Sequence, residues 1–137
     1  MPARPRREPI WVDRLVVDAV HIDLLRTHGG LAGLRDEAAL ESALARPRHK
    51  WAYGRTATLP ALAAAYGYGL TRNHPYRDGN KRIAFMAMAI FLGLNGSEID
   101  APEEEVVAIM LKLATGRLSE AALAKWIRLH LIPYTDS

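Results

Sequence analysis

The stretch Ile83-Ala-Phe-Met-Ala-Met-Ala-Ile-Phe-Leu-Gly-Leu94 has no charged or polar side chain on any face. It is too short to cross a bilayer. As a helix it belongs in the centre of a bundle, with other helices around it. Its start, Gly79-Asn80-Lys81-Arg82, breaks a local rule, because two cations in a first turn oppose the helix dipole at about 0.3–1 kcal/mol each. The first backbone N–H groups there also lack intrahelical partners. An anion held at that point turns the penalty into a gain, and phosphate is the usual one. Sites where local rules fail are often functional, and this is the strongest such place in the chain.

The other segments read as helices that could surround it. Between about Trp11 and Thr27, Leu15, Val16, Ala19, Val20 and Leu24 recur three or four apart, and Gly29-Gly30 ends the run. Asp36 caps a shorter helix that turns Leu40, Ala43 and Leu44 inward and stops at Pro47. Residues 46–58 lack periodicity and read as a loop or hairpin, after which Thr58 caps a helix from Leu59 to about Arg72. Asn95-Gly96 closes the apolar helix. Pro102 opens the next, with Glu103 to Glu105 placed for its dipole and Val106, Val107, Met110, Leu111 and Ala114 as its core face. Ser119 caps a last helix carrying Leu123, Ile127 and Leu131. The expected fold class is all-α, a bundle of about six helices.

Composition narrows the function. The 137 residues suit one domain, and neither a repeat nor a linker divides them. Residues 10–137 are read as that domain and residues 1–9 as a basic, poorly ordered tail containing Arg4, Arg6 and Arg7. The absence of cysteine excludes disulfides, thiolate nucleophiles and thiolate metal sites. No apolar run follows the N-terminal MPARPRREP, so a secretory signal is not expected and the location expected is cytoplasmic, with no membrane partner. A formal charge of +3 is too small to argue for DNA binding by itself.

Just before the cationic helix start lie His74 and Asp78. Histidine serves as a general base near neutral pH. Aspartate can hold the Mg²⁺ that accompanies nucleotide phosphates. With the phosphate cradle of Gly79, Asn80, Lys81 and Arg82, these are the parts of phosphoryl or nucleotidyl transfer. Each part also has a plainer use: His74 as a surface residue, Asp78 as an N-cap, Gly79 for the turn, the two cations as solvated side chains. All of those uses have to hold together for the site to be inert.

The run His74-Pro75-Tyr76-Arg77-Asp78-Gly79-Asn80-Lys81-Arg82 resembles the motif of the Fic/Doc superfamily, H-x-F-x-(D/E)-G-N-G-R-x-x-R. Tyr76 replaces the phenylalanine and leaves a hydroxyl to satisfy. Lys81 replaces the second glycine and Phe85 the distal arginine, and both departures match the Doc, or death-on-curing, branch. Leu34-Arg35-Asp36 with Leu40 to Leu44 and Pro47, and Ala63 to Gly67 leading into Asn73, are similar to further Doc-type blocks. The resemblance covers roughly residues 10 to 130.

That resemblance implies His74 as the base for a target hydroxyl, Asp78 as the Mg²⁺ ligand, and Gly79 and Asn80 as backbone and side-chain donors to phosphate. Lys81 and Arg82 would neutralise the phosphates, and residues 46–58 would fall where Fic proteins carry a target-docking flap. It implies ATP and Mg²⁺ as cofactors, and transfer of the γ-phosphate to a protein hydroxyl, with translation elongation factor Tu as the target in the Doc branch. Lys81 removes the clearance that a glycine leaves for the phosphates and adds a charge, but Fic-type AMP transfer stays open, since turning ATP around requires little new machinery. No (S/T)-x-x-x-E-(G/N) inhibitory string occurs. A separate, Phd-like antitoxin whose disordered tail folds on the toxin is therefore implied, with DNA engaged only through that partner. A non-catalytic co-repressor is the reading from another class, and a DNA-binding basic tail is a third.

Overall fold

The computed structural model describes residues 7–54 and 57–135. Side-chain caps start most helices. Asp13 accepts from the Leu15 N–H at α1 (Arg14–His28), Asp36 from Ala39 at α2 (Glu37–Tyr53), and Thr58 from Ala61 at α3 (Leu59–Asn73). Then come α4 (Asn80–Leu94), β1 (Ser97–Ile99) and α5 (Glu103–Ala114). Ser119 accepts from Ala122 at α6 (Glu120–Leu129), and β2 (Leu131–Pro133) follows. The expected all-α fold of six helices is present, with one small addition. β1 and β2 pair antiparallel, Ser97 opposite Pro133 and Ile99 opposite Leu131. Leu131 therefore lies in a strand rather than on the last helix, because Pro133 cannot extend a helix and the His130 carbonyl accepts from Asp100 N–H at 2.8 Å.

The apolar helix α4 is central, as its sequence demands, yet α3 is buried more completely. Leu62 to Gly67 are all buried, as are Gly69, Leu70 and Thr71. Small residues make this possible, since helix axes approach only where side chains are short. A Cβ on Gly67 would lie 2.3 Å from Met88 Sδ in α4, and one on Gly69 would lie 3.3 Å from the Ala43 carbonyl of α2. α4 keeps a half-exposed side at Phe85, Met86 and Ile90, so it is not enclosed on every face.

Two expectations need correction. α2 does not stop at Pro47 but runs through it to Tyr53, with the proline ring buried. An interior proline costs about 3 kcal/mol. Contacts made only by the second half offset that. Arg46 reaches Glu120 of α6 at 2.7 Å, Lys50 bonds the same carboxylate, Arg48 lies over the Trp11 ring and Trp51 meets Trp11 edge-on. Residues 46–53 are thus helical, not a hairpin or an extended flap; Arg55 and Thr56 lie outside the described residues. The face of α1 also differs. Leu15 is 75% exposed and Val16 and Ala19 face outward, while Val17 and His21 are buried. Polar contacts made by Asp18 and His21, described below, fix that rotation, and hydrophobic spacing does not report them.

The chain is held from Ile10 onward. The Asn95 side chain accepts from Ile10 N–H and donates to its carbonyl, both at 2.9 Å, and the Val12 N–H donates to Tyr66 Oη at 3.0 Å. Of the expected tail, residues 1–6 lie outside the described residues. No helix among the described residues is long and apolar enough to cross a membrane.

Glu120 couples α2 to α6 and gives the fold a pH dependence. Burial works to raise its carboxyl, but the bonds from Lys50 and Arg46 outweigh it and hold it below the ordinary value. A carboxylate depressed in the folded state stabilises above its unfolded pKa, and the gain is lost as pH falls through the folded value. Melting temperature should therefore drop as pH falls below about 4.5. Glu120→Gln should cost about 1–2 kcal/mol at neutral pH and flatten that acid limb in melts recorded across pH. A limb of unchanged steepness would contradict the assignment.

Candidate active site

Between the end of α3, the start of α4, the C-terminal half of α1 and one face of α5 lies a cavity of about 890 Å³. His74, Asp78, Gly79, Asn80, Lys81 and Arg82 all line it, so every residue singled out from the sequence meets at one place. The far wall is apolar, formed by Phe85, Met86, Val106, Val107, Met110 and Leu111. Val107 and Leu111 are thus cavity wall rather than core, 61% and 52% exposed.

His74 ends α3 in the left-handed conformation, φ 49°, a region costly for most residues with a side chain. Arg35 holds it there. Its Nε donates to the His74 carbonyl at 2.8 Å and its Nη2 to the Asn73 carbonyl at 2.9 Å. The Pro75 carbonyl accepts from Arg35 and Asp36 N–H at 2.7 and 3.1 Å, and Arg77 N–H donates to Gly33 at 3.0 Å. Residues 33–36 therefore brace the loop, which explains physically why Leu34-Arg35-Asp36 accompanies the motif. The exposed imidazole of His74 makes no hydrogen bond with any described residue, so its ring nitrogens are free for chemistry.

Tyr76 turns inward, and its hydroxyl donates to Asp18 at 2.7 Å. Burial and the Asp18 carboxylate both push the phenol well above its ordinary range, which keeps it a neutral donor. Asn80 is buried and closes the loop, its Oδ1 accepting from Tyr76 N–H at 3.0 Å and its Nδ2 donating to the Tyr76 carbonyl at 2.9 Å. The amide expected to reach phosphate is thus committed to the loop, and what Asn80 offers the cavity is its backbone N–H.

Gly79 begins α4 at φ +78°, and no side chain caps that helix. The N–H groups of Asn80, Lys81 and Arg82 are accordingly without a capping oxygen, and no acidic residue lies in the first turn. Asp78 does not cap it. Its Oδ2 instead accepts from Leu31 N–H at 2.6 Å, across the Gly29–Gly30 turn, where a Cβ on Gly30 would lie 3.1 Å from the Asp78 Cβ. Lys81 and Arg82 are exposed and make no ion pair with a described residue.

These groups fit a Mg²⁺–nucleotide. Mg²⁺ is commonly held through one or two carboxylates together with substrate phosphates. Asp78 supplies one carboxylate with Oδ1 uncommitted, and no cluster of three acidic or histidine ligands exists among the described residues to form a closed cage. Thr71 also lines the cavity, 8% exposed, with a buried hydroxyl that has no hydrogen-bond partner. Asp18 and His21, which grip the loop from α1, escaped the sequence reading. Their only signal was a three-residue spacing on a helix that also carries Arg14, Asp23, Arg26 and His28, so nothing in the sequence set them apart.

A model of the Fic/DOC family matches residues 11–92, more than half of the chain, and the protein belongs to that family. The matched span holds the whole motif loop and the segment that braces it. Toxin Doc of Mycolicibacterium smegmatis is 43% identical over 76 residues, which are 53% of this chain and 57% of that protein. The similarity thus spans little more than half of the relative's length.

Proposed function

We propose that this protein is a Doc-type toxin that transfers the γ-phosphate of ATP to a hydroxyl of a protein target in the cytoplasm, with an elongation factor of the Tu type as the favoured target. The observation that carries the reading is the unpartnered imidazole of His74 on the same cavity as the uncapped, cationic start of α4. His74 accepts the proton of the target hydroxyl as its oxygen forms a bond to the γ-phosphorus. The bond from that phosphorus to the bridging oxygen breaks, and ADP leaves with the electron pair. The N–H groups of Asn80, Lys81 and Arg82 and the two side-chain cations carry the phosphate charge. Mg²⁺, held at Asp78, supplies further charge neutralisation when bound. The apolar wall from Phe85 to Leu111 suits a nucleobase. A separate antitoxin supplies the restraint on activity, in keeping with the similarity to toxin Doc.

Lys81 favours γ-phosphate over AMP transfer, since a long charged side chain in the first turn takes the room that a glycine leaves beside the backbone. Lys81→Gly should lower phosphate transfer about tenfold or more and allow AMP transfer to become detectable, read by mass spectrometry of the modified target. AMP transfer by the unaltered protein would instead favour the Fic-type reaction. A Lys81→Gly variant that transfers phosphate at full rate would remove the basis for the choice.

Arg35 matters because it holds the His74 backbone from outside the cavity. Arg35→Ala should slow target modification about tenfold through a misplaced base, while denaturant unfolding shows a loss of about 1 kcal/mol. An unchanged rate would mean that the left-handed turn at His74 supports itself.

A further inference from the structure

We propose that His21 is a positioning residue for this site, its Nε2–H fixing the Asp78 carbonyl so that the Asp78 carboxylate and the first N–H groups of α4 keep their places on the cavity. The proposal rests on the reading of that end of the cavity as the Mg²⁺–phosphate end. His21 is buried, 2% exposed, on α1. Its Nε2 lies 2.7 Å from the Asp78 carbonyl oxygen. A carbonyl only accepts, so Nε2 carries the proton. The ring stacks on Tyr76 with centroids 3.7 Å apart and planes 15° from parallel. It also abuts Gly79, where a Cβ would come within 3.4 Å of Nε2.

One turn earlier on the same helix, Asp18 accepts from the Tyr76 hydroxyl and is itself held by Arg14 Nε at 3.1 Å. The face of α1 carrying Asp18 and His21 therefore grips the loop at both ends, Tyr76 by its side chain and Asp78 by its backbone. Asp78 is pinned twice, its carbonyl by His21 and its Oδ2 by Leu31 N–H. With the carbonyl released, the peptide between Asp78 and Gly79 is free to rotate. That peptide sets both where the carboxylate sits and how the left-handed Gly79 launches α4. A buried histidine kept only for packing would be replaceable by any ring of its size, and that difference is measurable.

The test compares the full chain with His21→Phe, which keeps the ring and loses the donor, and His21→Gln, which keeps an N–H donor. The first readout needs no ligand. The Leu31 amide proton bonds a carboxylate at 2.6 Å, so its signal should lie downfield and its exchange should be slower than that of an unbonded amide. In His21→Phe it should move upfield and exchange about tenfold faster, while core amides of α3 and α6 keep their rates. His21→Gln should restore the Leu31 signal. The second readout is calorimetric titration with MgATP, in which His21→Phe should bind about tenfold more weakly and His21→Gln within about threefold of the unaltered protein. An unchanged Leu31 signal in His21→Phe, or a His21→Gln as impaired as His21→Phe, would overturn the proposal in favour of packing alone. If phenylalanine prevents folding, His21→Met fills the space without a donor and reads the same two signals. If the unaltered protein fails to bind MgATP, the proposed function fails, and the Leu31 signal still decides the role of His21.

Discussion

Replacing His74 with alanine should lower target modification by about 10²- to 10⁴-fold, the usual range for a lost general base, and abolish growth inhibition in cells expressing the protein. The fold should survive, because the side chain is exposed and makes no hydrogen bond with any described residue. Stability should change little, because histidine already carries a Cβ at φ 49° and alanine adds no new backbone strain. His74→Gly separates the lost base from backbone strain, since glycine adopts that conformation freely: it should be as inactive as His74→Ala yet more stable. Purified variants, compared by transfer rate and thermal melt, supply both readings. Retained toxicity in either variant would remove His74 from the chemistry.

The second large effect is expected at Asn80. Its amide satisfies both backbone groups of the buried Tyr76, so Asn80→Ala loses two hydrogen bonds and leaves a donor and an acceptor stranded. At about 1 kcal/mol net per bond, plus desolvation of the stranded groups, the cost is about 3 kcal/mol. Asn80→Asp is worse for function than for the loop's N–H. It still accepts from Tyr76 N–H but sets an oxygen against the Tyr76 carbonyl, and it adds a negative charge at the uncapped start of α4, where the proposed phosphate would sit. Denaturant unfolding should rank alanine and aspartate below the unaltered protein, and nucleotide titration should show the larger loss for aspartate. Equal nucleotide affinity in all three would mean that the anion end of the cavity lies elsewhere.

What could be read from the sequence follows from where the physics is local. Caps at Asp36, Thr58 and Ser119 act over three residues, and each lies where its side chain predicts. The motif loop was legible because Lys81 and Arg82 contradict the dipole of the helix they begin, a conflict visible without any tertiary contact. Pro47 misled because its local penalty is offset by Arg46, Lys50 and Trp51 meeting residues far away in sequence. The rotation of α1 was illegible for a similar reason, since it is set by Asp18 and His21 bonding a loop more than fifty residues on. Val107 and Leu111 have the spacing of core residues but line a cavity, and hydrophobic periodicity does not distinguish apolar surface facing a neighbour from apolar surface facing a ligand. The Asn80 amide, expected from the sequence as a donor to phosphate, is instead spent on the Tyr76 backbone, a contact within the loop that residue type alone does not reveal.

The most direct test of the central claim is label transfer from ATP carrying isotope on either the α- or the γ-phosphate, with purified protein, Mg²⁺ and bacterial lysate, beside the His74→Ala variant. Label should reach a protein band only from the γ-position and only with His74 present. Label from the α-position would contradict the kinase reading in favour of AMP transfer. No His74-dependent label from either position would contradict the catalytic account itself.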